Sequence, residues 1–374
     1  MRVALVHHFS GPDASGAADE AVLDQAAALG RAGHEVRLVT TRADGPRHPA
    51  RPAARRAVTP VSGHGRDPLP ALRAFAPDVV HVHDLPSGAG RSWTAEWTRP
   101  LVTTLHDHRP LCGAAAPSAD GAPCPCVDGE RRTGLWHAPH LGARLATLPR
   151  AWAAARGGVR RDPLLRRADR VIVLSDLSRE TYERAGLPAE RLTVVPHFVP
   201  VADDVVSMGG DAFVVVARLA PEENVLGLLR HWPAGRRLDV VGTGPLEHAC
   251  RAAAPASVRF LGALGRPALR RLLPACRGLV HPGPWAAGAV PAVYPQALAA
   301  GLPVLAFEGS AAPRAVRADG TGTVAAWDAP LAPALDAAAR LFPTLRAHCR
   351  GVCAKRYGEQ VWVERMEQLY TSLT

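Results

Sequence analysis

A single lysine, Lys355, stands among 44 basic residues, so arginine carries almost all the positive charge of this 374-residue chain. Aromatic residues are scarce too, at 5%. The formal net charge of +10 and pI of about 9.9 would by themselves suggest a nucleic-acid surface. No basic run is interleaved with the aromatics that stack on bases, however, and abundant Ala, Gly and Pro point to GC-rich codon bias. Anionic small molecules are therefore the expected partners, and nucleic acid is not. Long apolar runs are also missing, since none approaches the ~20 residues of a membrane span. The opening "MRVALVHHFS" has one basic residue and four apolar ones before His7 and His8, far short of a signal-peptide core. The expectation is a cytoplasmic protein with at most peripheral membrane contact, its seven cysteines mostly reduced.

What is present is globular: 47% of residues are hydrophobic, and both charge signs run throughout. The length exceeds one ordinary core, so two domains are expected. Short β-branched runs alternate with Ala/Leu/Arg segments at helical spacing, the pattern of parallel sheets covered by helices on both faces. Strands are predicted at "RVALVHH", "EVRLVTT", "DVVHVHD", "LVTTLHD", "RVIVLS" and "LTVVPH". The pattern then restarts with "AFVVVARL", "RRLDVVGTG", "SVRFLGAL", "GLVHPG", "LPVLAF" and "GTVAAW". Between the two series lies a polar, aperiodic stretch around "PVADDVVSMGGD" that reads as a linker. The tail "YGEQVWVERMEQLYTSLT" places Val361, Val363, Met366, Leu369 and Tyr370 at roughly helical spacing, which predicts a packed terminal helix. The reading is α/β: two doubly wound, Rossmann-like domains over residues 1–200 and 201–355, with a C-terminal helix over 356–374 crossing back toward the first. Ligands of such sheets sit at the carboxyl ends of the strands, near helix N-termini.

The ordered series "GRAGHEVRLVT", "DVVHVHD", "VTTLHD", "RVIVLS", "LTVVPHFV", "VARLAPEEN", "LDVVGTGPLE", "VRFLGAL" and "QALAAGLPVLAF" resembles the retaining family-4 glycosyltransferases across essentially the whole chain. That resemblance implies the GT-B fold, with two Rossmann-like domains facing across a cleft. It implies a nucleotide diphosphate sugar bound by the C-terminal domain and an acceptor bound by the N-terminal one, with no cofactor required. In that family the segment matching "VARLAPEEN" supplies an Arg and, five positions on, a Lys that clamp the donor diphosphate. Arg218 matches; the Lys position holds Glu223. An anion in place of a cation about 4 Å from phosphate loses roughly 4 kcal/mol of attraction at an effective dielectric near 20, and adds repulsion. Arg314 and Arg317 are candidate substitutes.

A third absence bears on chemistry: no carboxylate lies between Pro282 and Phe307. The family's pair of glutamates, eight positions apart, corresponds here to Gly288 and Gln296. A Gln still accepts hydrogen bonds through its carbonyl and also donates, whereas a Gly offers only backbone. Retaining enzymes of this fold are not expected to need a carboxylate nucleophile of the glycosidase kind. The leaving phosphate can take the acceptor proton, the protein supplying position and electrostatics. In "VPAVYPQ" Pro295 is read as opening a helix whose free N–H groups face an anion.

The resemblance assigns His106 to the donor sugar, making His106 and Arg218 the candidate catalytic residues. Gly16, before the first helix, and Gly242 and Gly244 of "VGTGPLE" are candidates for close approach to the donor, a plain strand-to-helix turn being the alternative for the last two. His81, His83, Asp107 and His108 are candidate acceptor contacts, strand-end solvation being the alternative. Cys112, Cys124 and Cys126 with His137 have the ligand types for zinc. Their spacing is not a C-x2-C pair, so a loop with ordinary thiols is preferred and zinc is not expected. Cys250, Cys276, Cys349 and Cys353 read as small buried hydrophobes.

The functional expectation is transfer of a sugar from a UDP- or GDP-linked donor to a small-molecule or glycan acceptor. The altered donor positions suggest a specialised-metabolite pathway, with an amine or thiol acceptor among the options, ahead of cell-envelope polysaccharide synthesis. The contrasting class is a catalytically impaired GT-B protein that partners an active enzyme. The chain is expected to be a monomer or homodimer.

Overall fold

The computed structural model describes residues 1–8, 17–40, 59–62, 67–83, 85, 89–106, 108, 110–111, 159, 162–200, 209–283 and 289–374. The chain divides into two compact units. The first takes the described residues up to His197 together with Trp362–Thr374, and the second takes Phe198–Val361.

The first unit is a seven-stranded sheet of β1 (Arg2–His7), β2 (Glu35–Thr40), β3 (Thr59–Ser62), β4 (Val79–Val82), β5 (Leu101–Leu105), β6 (Arg170–Val173) and β7 (Leu192–Val194). All pairs are parallel and the order is β3-β2-β1-β4-β5-β6-β7. Both β4 and β5 are buried at every position, which is why they are mostly apolar, His81, Thr103 and Thr104 being the buried polar exceptions. Helices α1 (Ala17–Arg31), α2 (Leu69–Phe75), α3 (Pro163–Arg167) and α4 (Asp176–Arg184) supply the crossovers. Two of these helices start on side-chain caps: Asp162 accepts from Leu164 N and Leu165 N, and Ser175 from Ser178 N.

One strand of this unit was not predicted. β3 holds Pro60, which cannot donate to a ladder, and the structure resolves the conflict by putting β3 at the sheet edge beside β2.

The second unit is a six-stranded parallel sheet ordered β10-β9-β8-β11-β12-β13. Its strands are β8 (Phe213–Val216), β9 (Leu238–Val241), β10 (Val258–Gly262), β11 (Gly278–His281), β12 (Val304–Phe307) and β13 (Gly322–Ala325), matching the six predicted runs. Around them lie α5 (Val225–Arg230), α6 (Glu247–Ala253), α7 (Arg266–Leu272), α8 (Val293–Ala299), α9 (Ala311–Asp319) and α10 (Leu331–Val352). Apolar clusters cover both faces, one around Leu298, Leu302 and Val304 and the other around Phe213, Leu228 and Phe342.

A buried carboxylate ties three helical segments of this unit together. Asp319 accepts hydrogen bonds from Tyr294 Oη and Tyr357 Oη, both at 2.8 Å, and pairs with Arg356. α8 begins at Val293, so Pro295 is the third residue of the helix rather than the first as predicted, and Val293, Tyr294 and Pro295 are all buried.

The last helix, α11 (Glu359–Thr371), buries Trp362, Val363, Met366, Leu369 and Tyr370. Trp362 takes the core position expected of Val361, which is only partly buried. Cys250, Cys276, Cys349 and Cys353 are free and buried, as their apolar contexts predicted. Burial pushes the Cys276 and Cys349 thiols up to about 12 and Cys353 to about 11, so all three stay protonated and inert.

Candidate functional site

Both sheets reverse strand order between their first and fourth strands: at β1/β4 in the first unit and β8/β11 in the second. Such switch points open a crevice at the carboxyl ends of the strands. Of the described candidates, Arg218, Glu223, Gly242 and Gly244 follow strands β8 and β9 of the second unit, and His81, His83 and His106 lie at the ends of β4 and β5 in the first.

In the second unit, the chain leaves β8 through Ala217, Arg218 and Leu219. Ala217 N donates to Val241 O (3.1 Å), Leu219 N to Thr243 O (2.9 Å), and Leu246 N to Leu219 O (2.8 Å). Gly242 and Gly244 permit this lacing. A Cβ on Gly242, whose φ is 136°, would fall 1.9 Å from Ala217 O, and one on Gly244 would fall 2.4 Å from Leu219 O. The two glycines thus have a packing reason: they let the end of β9 lie against the backbone on either side of Arg218.

Beyond Leu219 the 3-10 turn Pro221–Glu223 ends on Asn224, held at φ 51°, a left-handed conformation that Asn tolerates better than most residues. This sharp turn sets Glu222 and Glu223 beside Arg218. The Arg218 guanidinium is 65% exposed and donates to Glu222. Glu223 is half-buried, and its carboxylate makes no hydrogen bond among the described residues. Burial raises its pKa, partly opposed by the charge of Arg218.

Facing this turn is the end of β11. His281 is 4% exposed, and its Nε2 has no hydrogen-bond partner among the described residues. Burial lowers its pKa to about 4, so the ring is neutral. A Cβ on Gly283 would stand 3.3 Å from His281 Nε2 and 3.6 Å from Glu223 Oε2, so both atoms border the space that this glycine leaves. His281 was not singled out from sequence, although a polar residue ending the apolar run "GLV" before Pro-Gly was a usable sign. Gln296 lies partly exposed on α8, after β11. Arg317 is bound to Glu308 and Arg314 is exposed on α9.

In the first unit, the strand ends assemble a histidine cluster. His81 and His83, two apart, share one face of β4 and its exit, with rings 4.3 Å apart. His81 Nδ1 lies 2.7 Å from Tyr370 Oη on α11 and its Nε2 2.7 Å from Thr104 Oγ1. Both ring nitrogens are thus engaged inside the unit, and the predicted acceptor contact gives way to an internal one. His83 Nδ1 is 3.0 Å from His106 Nε2, one ring donating and the other accepting. His106, at the end of β5 and 9% exposed, stacks on His197 with ring centres 5.3 Å apart. His7, ending β1, holds Asp19 of α1 at 2.7 Å.

Burial drives His81 down to about 3 and His197 to about 4. His83 is lowered well below its ordinary value by burial and by the neighbouring His81, His106, His7 and His197. These three rings are therefore neutral near pH 7. His108 is partly buried, edge-on to Tyr182. His7, His197 and Tyr370 were missed in sequence because their roles come from partners on other strands and on the last helix.

Gly16, Asp107, Gly288, Cys112, Cys124, Cys126 and His137 lie outside the described residues. Among the described residues, no group of three or more His, Cys, Asp and Glu is placed to hold a metal, and no helix is long and apolar enough to cross a membrane.

Comparison with known proteins agrees with this architecture. Residues 19–203 match the model of Glycosyltransferase Family 4, and residues 210–341 match that of Glycosyl transferases group 1. No curated protein matches the chain in sequence. Among solved structures, HepE of Anabaena in complex with UDP is 17% identical with a TM-score of 0.66, covering 100% of both chains. Sucrose-phosphate synthase of Thermosynechococcus elongatus is 18% identical with a TM-score of 0.67, covering 100% of this chain and 98% of that one. AviGT4, a glycosyltransferase involved in avilamycin A biosynthesis, is 17% identical with a TM-score of 0.62, covering 100% of this chain and 97% of its own. Two Rossmann-like units with the GT-B fold, matched by one family model along each, make this chain a member of the family-4-like glycosyltransferases.

Proposed function

We propose that the chain transfers a sugar, with retention, from a UDP-linked donor to a small-molecule or glycan acceptor, GDP being the alternative base. The observation that carries the reading is Arg218, held by the laced ends of β8 and β9 at the switch point of the second unit. The exposed Arg218–Glu222 pair is worth only about 0–1 kcal/mol, so a diphosphate competes for the guanidinium readily. HepE, solved with UDP, with UDP and glucose, and with UDP-glucose, supports the choice of base.

In the proposed reaction the acceptor attacks the anomeric carbon as the bond to the phosphate oxygen breaks. The leaving phosphate takes the acceptor proton on the same face, so no carboxylate at position 288 or 296 is needed. His106, buried and partnered with His83, is suited to hydrogen-bond a hydroxyl of the sugar. A specialised-metabolite acceptor, with an amine or thiol among the options, fits the altered donor positions better than a bulk envelope glycan.

Thermal-shift measurements with UDP, GDP, dTDP and ADP test the reading. At 100 times its dissociation constant a ligand stabilises by about 2.7 kcal/mol, and we expect UDP to do so. Arg218→Ala should abolish the shift. A shift that survives in this variant refutes the diphosphate placement, and no shift with any nucleotide refutes the transferase reading in favour of a non-catalytic partner protein. Each arm is run with and without a divalent cation.

A further inference from the structure

We infer that Asp319, which lies on α9 rather than on the loop that carries Arg218, is a positioning residue of the donor site: through Tyr294 it fixes helix α8 so that Gln296 meets the bound nucleotide. The inference rests on the donor reading above, with Gln296 among the donor contacts, and deepens it.

The first argument is the face that α8 presents. From Val293 to Leu298 every residue except Gln296 is buried. Successive helical residues are rotated by about 100°, so Tyr294 and Gln296, two apart, point to nearly opposite sides of the helix. Tyr294 enters the core, and Gln296 turns out of it. α8 follows β11, the strand that meets β8 at the switch point of this sheet. It therefore offers one polar side chain, an amide that both accepts and donates, where a ligand of such a sheet sits.

The second argument is what holds that face. α8 has seven residues and no side-chain cap, so its own hydrogen bonds orient it weakly. Tyr294 Oη donates to Asp319 Oδ2 at 2.8 Å and lies 2.6 Å from Thr321 Oγ1. The phenol has one proton and gives it to the carboxylate, so the Thr321 hydroxyl donates in return. Burial, reinforced by the charge of Asp319, pushes the Tyr294 hydroxyl up in pKa and keeps it a donor. Asp319 itself is placed against local electrostatics. It is the last residue of α9, where the helix dipole disfavours an anion, and its side chain is wholly buried. Two tyrosine hydroxyls and Arg356 compensate the charge. Packing alone would be served as well by an apolar side chain, whereas a carboxylate fixes the direction of the groups bound to it.

The test is a matched pair of variants in the full chain. Tyr294→Phe and Tyr357→Phe each remove one hydroxyl bound to the same Asp319 oxygen, and each keeps its ring in the edge-to-face contact between the two. Both should lower the urea midpoint by a comparable amount, but only Tyr294 lies on α8. UDP binding, measured by calorimetry, should weaken on the order of 5- to 10-fold in Tyr294→Phe and less than about 2-fold in Tyr357→Phe. Gln296→Ala should also weaken it, and in a double-mutant cycle Tyr294→Phe should then add little, because the amide that it positions is gone. Wild-type UDP affinity in Tyr294→Phe or in Gln296→Ala, equal losses in the two tyrosine variants, or additive losses in the cycle each overturn the inference while leaving the donor reading intact. If the wild-type chain binds neither UDP nor any other nucleotide, the donor reading fails and the positioning role with it.

Discussion

His81 shows how much one side chain can be decided by partners far along the chain. From sequence it was a strand-end residue open to an acceptor; in the structure it is 1% exposed, wedged between Thr104 and Tyr370, the latter 289 residues away. Either tautomer satisfies both contacts, so the ring is held by shape and hydrogen bonding rather than by charge. Tyr370→Phe should leave one buried imidazole nitrogen unpaired and cost about 1–3 kcal/mol, read as a lower urea midpoint. An unchanged midpoint would show that the nitrogen finds water or another partner. Arg218 and Glu223 were legible in sequence because they sit on one short loop whose spacing alone brings them together. His281 was not, because its meaning comes from Gly283 and Glu223, and the latter belongs to a different strand-loop unit.

At the scale of the element, the loop after β8 depends on two glycines of the loop after β9. Gly242→Ala places a methyl carbon 1.9 Å from Ala217 O at a φ of 136°, so the loop carrying Arg218 must shift. The expected cost is about 1–3 kcal/mol of overpacking or more, together with loss of the UDP-induced thermal shift. Gly235→Ala is the contrast: its φ is 84°, but nothing lies within 4 Å, so only a backbone penalty of about 1–2 kcal/mol applies and the UDP response should persist. A normal UDP response in Gly242→Ala would mean that the lacing does not position Arg218. Most elements were legible from hydrophobic runs, since strands buried on both faces are mostly apolar and their few polar residues must find partners inside. β3 was not, because Pro60 argues against a ladder until the strand is known to be an edge. The start of α8 was misplaced for a related reason: Pro295 fits anywhere in a first helical turn, and the buried Tyr294 before it, bound to Asp319, draws the helix two residues earlier.

On the scale of the whole molecule, the first unit buries a histidine cluster and closes it with the end of the chain. α11 reaches that unit through His81–Tyr370 and through His34 Nε2, 2.9 Å from Glu367 Oε1. The native values of His81 and His197, about 3 and about 4, lie below the ordinary 6.5. Folding is therefore favoured most above pH 6.5, where the unfolded chain binds no extra protons. As pH falls below 6.5 the unfolded histidines protonate first, so each removes up to about 1.4 kcal/mol per pH unit until its native value is reached. His7, His83, His106, Asp19 and Tyr370 face the same space, and His83 adds to the trend in the same direction. Urea midpoints of the full chain should drop from pH 7 to pH 5, before most carboxylates titrate. A flat profile over that window would show that the cluster takes up protons in the native state.

By itself the sequence determined the two parallel sheets, their order along the chain, and the closeness of Glu223 to Arg218 on one loop, because burial and short spacing are written in neighbouring residues. Only the tertiary structure decided that His81 belongs to the interior, that Gly242 and Gly244 serve Arg218, and that Glu223 and His281 border one gap. Those outcomes depend on which strands lie side by side and on where the last helix docks, and no local pattern encodes contacts across such separations.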